Sequence, residues 1–440
     1  MLRKTSFENN FKIIKNVICI FMLIITFFGY NRASAIQEDN IINFSDINLE
    51  AVIRKEINRP YQTIKAEDVI EIKELDLTGK KIRDINSLKY FVNLEELNLK
   101  NNYIEDIDVL SNLKQLRILN LANNRVKDYR PMIYLTYLEE LDLSYNFSIE
   151  DKTFLSELLS LKKLNLRMVN IKDISMLASL INLTELDLSH NDIKDITPLA
   201  NLIKLERLNL GYNMIEDIRA ISDLTRLTYL NLKYNSYYKR TDIGFDYFRI
   251  KDLSPISNLN NLKELNLRYL WVSDLGFLTE IYNIIDLNLS NNYIEDLSPL
   301  SHLKKLEKLN LTLNEISDIS PLSELTNLKI LDLKANNIKD VSPISGLSNL
   351  QYLDLRYNYY LFRLSDITPL VDLQNLIELY LEDSLINKVK ESDDLQGLRE
   401  KLDPVQDYLE IMDYTVKDIL IENKKEHYHY ISIRRYFSRV

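Results

Sequence analysis

The feature that most constrains this chain is a repeat of 22 residues that begins at Ile72 and runs for more than 300 residues. Aligned units start at Ile72, Leu94, Leu116, Leu138, Leu161, Leu183, Leu205, Leu227, Leu262, Ile284, Leu306, Leu328, Leu350 and Leu376, fourteen in all. Four depart in length or ending. The unit at Leu138 carries one extra residue, that at Leu227 thirteen and that at Leu350 four, and the last decays after Val389. In Leu186-Asp187-Leu188 the alternation of apolar and polar residues predicts a short strand with its leucines inward. One such unit cannot bury its apolar face alone, so neighbours must stack into a continuous core. The prior of two or three globular domains for 440 residues therefore shrinks to one solenoid with caps.

Three polar columns repeat with the leucines. Asn fills one in ten of fourteen units (Asn102, Asn124, Asn146, Asn191, Asn213, Asn235, Asn292, Asn314, Asn336, Asn358), with Lys80, Val169, Leu270 and Ser384 as exceptions. An amide there serves backbone donors and acceptors where the chain leaves the sheet. Asp recurs in thirteen units, from Asp84 to Asp366. Turn formation and local backbone acceptance explain that row better than calcium, because the spacing follows the coil and not an oxygen cage. Seven of the nine prolines share a further column, and six of them follow Ser or Thr. That pair reads as an N-cap and first helical position, hence a short helical turn on the convex side. The pattern L-x-x-L-x-L-x-x-N-x-I at this period is the leucine-rich repeat. The expected fold is an α/β solenoid: a leucine-rich repeat horseshoe of about 14 repeats, a parallel sheet on its concave face, and a helical cap at each end.

Composition narrows the chemistry. The seven glycines are scattered, whereas average usage would supply roughly 30. Phosphate-cradling loops and dinucleotide fingerprints need closely spaced glycines and are excluded. The one cysteine, Cys19, excludes disulfides and thiolate metal sites, and four histidines leave little for acid–base chemistry. No mixed cluster of nucleophile, acid and base stands out, so no enzyme, no metal and no cofactor are expected. The net charge is −10. Residues 1–35 hold five basic side chains and one acid, so removing them leaves about −14 on the remainder. Such a chain repels phosphate backbones, and nucleic acid is not an expected partner.

The first 35 residues read as a signal peptide: a basic region through Lys15, the apolar run Val17–Tyr30, and Ala33-Ser34-Ala35 before the cut. An uncleaved anchor is the alternative, although the run is shorter than the ~20 residues that span a bilayer. Residues 36–71 are the expected N-terminal cap. Ser45 or Asp46 caps a helix with Leu49, Val52, Ile53 and Ile57 on one face, ending near Pro60. Repeats are assigned to 72–397 and a cap or tail to 398–440. From Asp403-Pro404, Val405, Tyr408, Leu409, Met412, Val416 and Ile419 recur at helical spacing, either as a C-terminal cap or as a partner-binding helix. His427 and His429 lack further ligands for a metal.

With cap and repeats together, the chain resembles the internalin family of bacterial surface and secreted proteins. The resemblance lies in FSDINLEAVIRKEINRP (Phe44–Pro60), in IKAEDVIEIKELDLTGKKIRDI (Ile64–Ile85), and in N-x-I-x-D-I-[ST]-P-L-x-x-L at Asn191–Leu202 and Asn314–Leu325. It implies protein recognition through the concave sheet, as for host-cell surface proteins. The tail ISIRRYFSRV carries no Leu-Pro-x-Thr-Gly sorting signal, so secretion is expected over wall attachment. The intracellular phosphatase-regulating leucine-rich proteins have a similar repeat, but the leader and the cap argue against them.

The outward strand positions locate a binding surface. The residue between the strand leucines is nearly always Asp or Asn and carries little specificity. The following columns supply cations (Arg167, Lys233, Arg268, Lys334, Arg356) and aromatic rings (Tyr145, Tyr212, Tyr234, Tyr269, Tyr357). With repeats about 4.8 Å apart, Tyr212, Tyr234 and Tyr269 should form a ladder beside Lys233 and Arg268. Arg207 and Tyr229 flank the centre. The insertion Ser236–Arg249 adds Tyr237, Tyr238 and further aromatics, and either folds over the sheet edge or extends the surface. A smaller insertion spans Tyr359–Arg363, and Leu270 and Trp271 are placed to pack on the larger one. Exposed Tyr and Arg are the residues enriched at protein hot spots. The expected partner-binding set is therefore Arg167, Arg207, Tyr212, Tyr229, Lys233, Tyr234, Tyr237, Tyr238, Arg268 and Tyr269, on a secreted monomer that binds a protein. A cell-wall or carbohydrate ligand is the alternative, since stacked tyrosines also suit sugar rings.

Overall fold

The computed structural model describes residues 40–147, 149, 151–241, 244–358 and 366–399. The leader, the insertion at Tyr359–Arg363, the stretch from Asp403 and the pair His427/His429 lie outside the described residues, as does the side chain of Tyr238. Two compact units part between Leu287 and Asn288. Among the described residues, fourteen parallel three-residue strands follow chain order.

In the first unit nine strands (Glu74–Asp76, Glu96–Asn98, Ile118–Asn120, Glu140–Asp142, Lys163–Asn165, Glu185–Asp187, Arg207–Asn209, Tyr229–Asn231 and Glu264–Asn266) carry the sheet. Each strand leucine sits opposite its equivalent: Leu186 opposite Leu208, Leu208 opposite Leu230, and Leu230 opposite Leu265. The last pairing crosses the thirteen-residue insertion without a slip, so the extra chain is extruded and the register kept. All these leucines are buried. In the second unit, Lys308–Asn310, Ile330–Asp332, Tyr352–Asp354 and Glu378–Tyr380 pair in the same way. After Glu378–Tyr380 the chain turns into helices Asp383–Glu391 and Gln396–Arg399. Strand Asp286–Asn288 lies at the unit boundary.

The Asn column is the inner seam of the coil, and all ten members are buried. The Asn213 Nδ2 donates to the carbonyls of Leu188 (3.0 Å), Leu210 (3.0 Å) and Gly211 (3.4 Å), while its Oδ1 accepts from the Ile193 N–H (3.0 Å). One amide thus closes its own turn and the one before it. This satisfies backbone groups that the change of direction would otherwise leave buried and unpaired.

The Asp column performs a turn function throughout. Every one of the thirteen places Oδ1 on the backbone N–H two residues ahead, as Asp195 does for Thr197 and Asp318 for Ser320, both at 2.8 Å. This corrects the expected role of the Ser/Thr-Pro pair. Ser or Thr is the first residue of a short 3-10 turn such as Ser254–Asn258, and the residue before it makes no side-chain cap. The carboxylate two positions earlier does the capping, and Ser298 and Ser342 also donate their hydroxyls to it. Asp195→Ala should therefore cost about 1 kcal/mol, as loss of a capping side chain does. Asp195→Asn should be near neutral, because the amide oxygen accepts equally. Urea titration checks both, and a midpoint that moves with calcium or chelator would contradict this account.

Helix α1 (Ile47–Glu56) starts at Asp46, which accepts from the N–H groups of Asn48 and Leu49. Its other carboxylate oxygen accepts from Arg83 (2.7 Å) and Asp84 (3.3 Å) in the first repeat. One side chain thus caps the helix and ties it to the solenoid. Leu49 and Ile53 are its buried face.

Candidate functional site

Between the second leucine of each strand and the Asn seam lie two turn positions, Gly211 and Tyr212 in the repeat that starts at Leu205. The outward strand residue sets their conformation. Asn209 Oδ1 accepts from the Gly211 N–H (3.2 Å), Asn231 from Lys233 (3.1 Å), Asn266 from Arg268 (3.1 Å) and Asp187 from Ser189 (2.8 Å). The polar stripe that carries little specificity is therefore a row of Asx turns. In each, the third residue after the Asn or Asp takes the left-handed region. In all thirteen repeats from Ile72 to Leu350 the second turn position has φ between +54° and +67°. Gly79, Asn101, Asn123 and Asn291 suit this backbone; Tyr145, His190, Tyr212, Tyr234, Tyr269 and Tyr357 do not, at a cost of roughly 1–2 kcal/mol each. The backbone ladder holds them there, as the Tyr212 N–H donates to the Lys233 carbonyl (2.8 Å) and the Tyr234 N–H to that of Arg268 (3.0 Å).

Because successive turns share this geometry, their side chains align. Tyr212 and Tyr234 stack with centroids 4.5 Å apart and 8° between planes, and Tyr234 and Tyr269 at 4.8 Å and 20°. The expected ladder is present, and it has a fourth rung: His190 lies 3.9 Å from Tyr212. Lys233 Nζ stands 5.2 Å from the Tyr212 centroid, Arg268 Cζ 5.3 Å from Tyr234, and Arg167 Cζ 5.9 Å from Tyr145. Stacking has a chemical consequence. The ring faces cover one another, so the ladder presents ring edges and cations outward, and stacked faces for sugar rings remain only at its two ends.

His190 is the residue that sequence reasoning missed; its place in the Tyr column was the available signal. Burial, then the positive charges of Arg167 and Lys233, push its imidazole down to about 3. A base whose pKa falls on folding stabilises the native state above its unfolded value of ~6.5 and loses that contribution as pH falls toward 3. The His190 imidazole resonances should thus stay at neutral positions between pH 8 and 5. NMR, with His190→Asn identifying the signal, checks this; a midpoint near 6.5 would contradict it.

The remaining expected residues divide. Arg207 and Tyr229 lie at the other end of the strands, with Arg207 Cζ 4.2 Å from the Tyr229 centroid and its Nη1 3.8 Å from Glu264. They form a separate patch on the same sheet face. The insertion is a hairpin, Tyr237–Thr241 against Gly244–Phe248. Tyr237 stacks on Phe248 at 4.7 Å, Tyr247 meets Trp271 edge-on at 5.7 Å, and Ser236 donates to the Tyr269 carbonyl at 2.6 Å. The hairpin is therefore anchored at the end of the ladder, and Leu270 and Trp271 mark where the seam gives up its Asn for it. In the second unit, Arg356 grips Asp354 through Nε (3.0 and 3.1 Å) and Nη2 (2.6 Å), so that cation is internally neutralised. Neighbouring Asp332 is pushed up to about 6 by burial, then by the charge of Asp354.

Comparison with known proteins agrees with this architecture. The family model described as Leucine rich repeat matches residues 195–236 and 304–359, and that described as Leucine Rich repeats (2 copies) matches 114–157, 159–201 and 283–324. The crystal structure of an internalin, inlF, from Listeria monocytogenes is 30% identical, covering 83% of this chain and 96% of that one, with a TM-score of 0.61. The chain belongs to the internalin-like leucine-rich repeat proteins. The functional domain of InlJ from the same organism, described as including a cysteine ladder, shares the fold at 18% identity, 81% and 78% coverage and a TM-score of 0.60. A plant peptide hormone receptor, RGFR1, in complex with RGF2 does so at 20% identity, 70% and 52% coverage and 0.53. No curated protein matches significantly. Proteins of this family are in general interaction scaffolds and not enzymes, and its Listeria members act at the bacterial surface or after secretion. No helix among the described residues is long and apolar enough to cross a membrane.

Proposed function

We propose that this is an exported recognition protein that binds a protein partner, of the class of host-cell surface proteins, through the outward face of the sheet in its first unit. The carrying observation is the stack His190–Tyr212–Tyr234–Tyr269 with Lys233 and Arg268 beside it. Large rings occupy strained backbone positions where Asn would be easier, so their value lies in what they present. Semi-rigid aromatic groups with cations are the composition of protein hot spots. Arg167 extends this edge, Arg207 and Tyr229 add the second patch, and Tyr237 and Tyr238 add the hairpin. Covered ring faces weigh against sugar stacking. Pull-down with the purified protein, followed by mass spectrometry, should recover a protein that the Tyr212→Asn/Tyr234→Asn/Tyr269→Asn variant fails to recover. Retention on purified polysaccharide with no captured protein would overturn the proposal, and intracellular accumulation of unprocessed chain would overturn export.

A further inference from the structure

One part of the ladder edge has more structure than protein binding in general requires. From the repeat at Leu138 to that at Leu262 the two turn positions read Ser144-Tyr145, Arg167-Met168, Ser189-His190, Gly211-Tyr212, Lys233-Tyr234 and Arg268-Tyr269. They hold three cations and no carboxylate. The Arg167 guanidinium bridges its two neighbouring repeats: its Nε donates to the Tyr145 hydroxyl behind it (3.1 Å) and its Nη1 reaches forward to the Ser189 hydroxyl (3.0 Å). Both acceptors are neutral, and no carboxylate pairs with Arg167 among the described residues. Lys233 leans back the other way. A Cβ built on Gly211 would meet its Cγ at 3.1 Å, so the side chain lies across the glycine.

The two cations therefore converge from opposite directions on a floor of Ser189 and Gly211, walled by His190 and Tyr212. The charge of both is felt at the His190 ring. The nearest carboxylate on the strand, Asp187, is occupied by the Asn209 Nδ2 (2.9 Å) and the Ser189 N–H (2.8 Å). Two fixed cations over a small-residue floor, beside a wall of neutral rings, form a receptor for a planar oxyanion.

We propose that Arg167 and Lys233 form an anion site over Ser189 and Gly211 that takes a carboxylate from an acidic segment of the partner protein. This rests on the protein-binding reading above and adds to it the chemistry of the bound segment. The ladder supplies contact area; the anion site selects the charge of what lies against it.

The test is titration calorimetry of the full chain with a short oligo-glutamate peptide at low and high ionic strength. The expected result is binding that weakens with salt. Arg167→Gln and Lys233→Gln should each weaken it about tenfold, since each removes one charged contact. Gly211→Val should weaken it comparably with all charges retained, because the new side chain displaces Lys233 and fills the floor. Absence of binding, unchanged affinity in these variants, equal affinity for oligo-lysine, or equal affinity for inorganic sulfate alone would each overturn the proposal. Failure here with protein capture still abolished by the triple Tyr→Asn variant would sink the anion site alone. Oligo-glutamate binding as expected, with no protein captured, would sink the protein reading instead.

Discussion

Asn213→Ala should destabilise the first unit by about 2–4 kcal/mol, because one buried N–H left unpaired costs about 1–3 kcal/mol and each further hydrogen bond lost costs about 1 kcal/mol or less. The substitution strands the N–H of Ile193 and takes one of two amide donors from each of the carbonyls of Leu188 and Leu210, which keep Asn191 and Asn235. Water cannot replace the amide in a seam this buried without opening the stack. Asn213→Leu should be no better: it restores volume but supplies neither a donor nor an acceptor. The single tryptophan, Trp271, lies in this unit, so its fluorescence in a urea titration reads the loss directly. Because each repeat touches only its neighbours, the effect should be local in origin, and hydrogen exchange should accelerate first around Leu188 and Ile193. A midpoint shifted by less than an Asp195→Ala change would contradict the role of the amide as the seam.

The second large effect separates binding from stability. Replacing Tyr212, Tyr234 and Tyr269 together by Asn should weaken partner binding at least about a hundredfold, since single hot-spot residues are worth about 2 kcal/mol or more. The same variant should fold as well as the parent. Asn is already the residue at the equivalent positions Asn101, Asn123 and Asn291, all with φ near +60°, and it tolerates that region better than Tyr. What the variant loses in ring stacking it regains in part through relief of backbone strain. Unchanged urea midpoints with lost capture would place the rings in recognition. A large fall in stability would instead make the ladder a structural brace.

Much of this was legible in the repeat. Period-two leucines, the Asn seam and the Asp turns each follow from one local physical demand repeated at a fixed interval, so a column could be assigned a task before any coordinate. The ladder Tyr212–Tyr234–Tyr269 followed from the same arithmetic of register. The Ser/Thr-Pro pair was read as cap and first turn residue, when Asp two positions earlier makes the cap; both readings satisfy the same motif, and only hydrogen-bond geometry separates them. At this repeat spacing neighbouring rings of the ladder cover each other, so ring faces are left open only at its ends.

The sequence by itself determined the coil: how many repeats, which leucines point inward, which amides hold the seam, and that Tyr212, Tyr234 and Tyr269 share an edge. These properties are periodic and local, and periodicity survives without coordinates. Only the tertiary structure decided the rest. It put the ladder on left-handed turns, added His190 as its fourth rung, and aimed Arg167 and Lys233 at one floor from opposite sides. It also spent Arg356 on Asp354 while leaving Arg167 on neutral oxygens. The physical reason is that a long cationic side chain can lean along the coil in either direction. Which way it leans depends on neighbours a full repeat away, and a column of residue types does not carry that information.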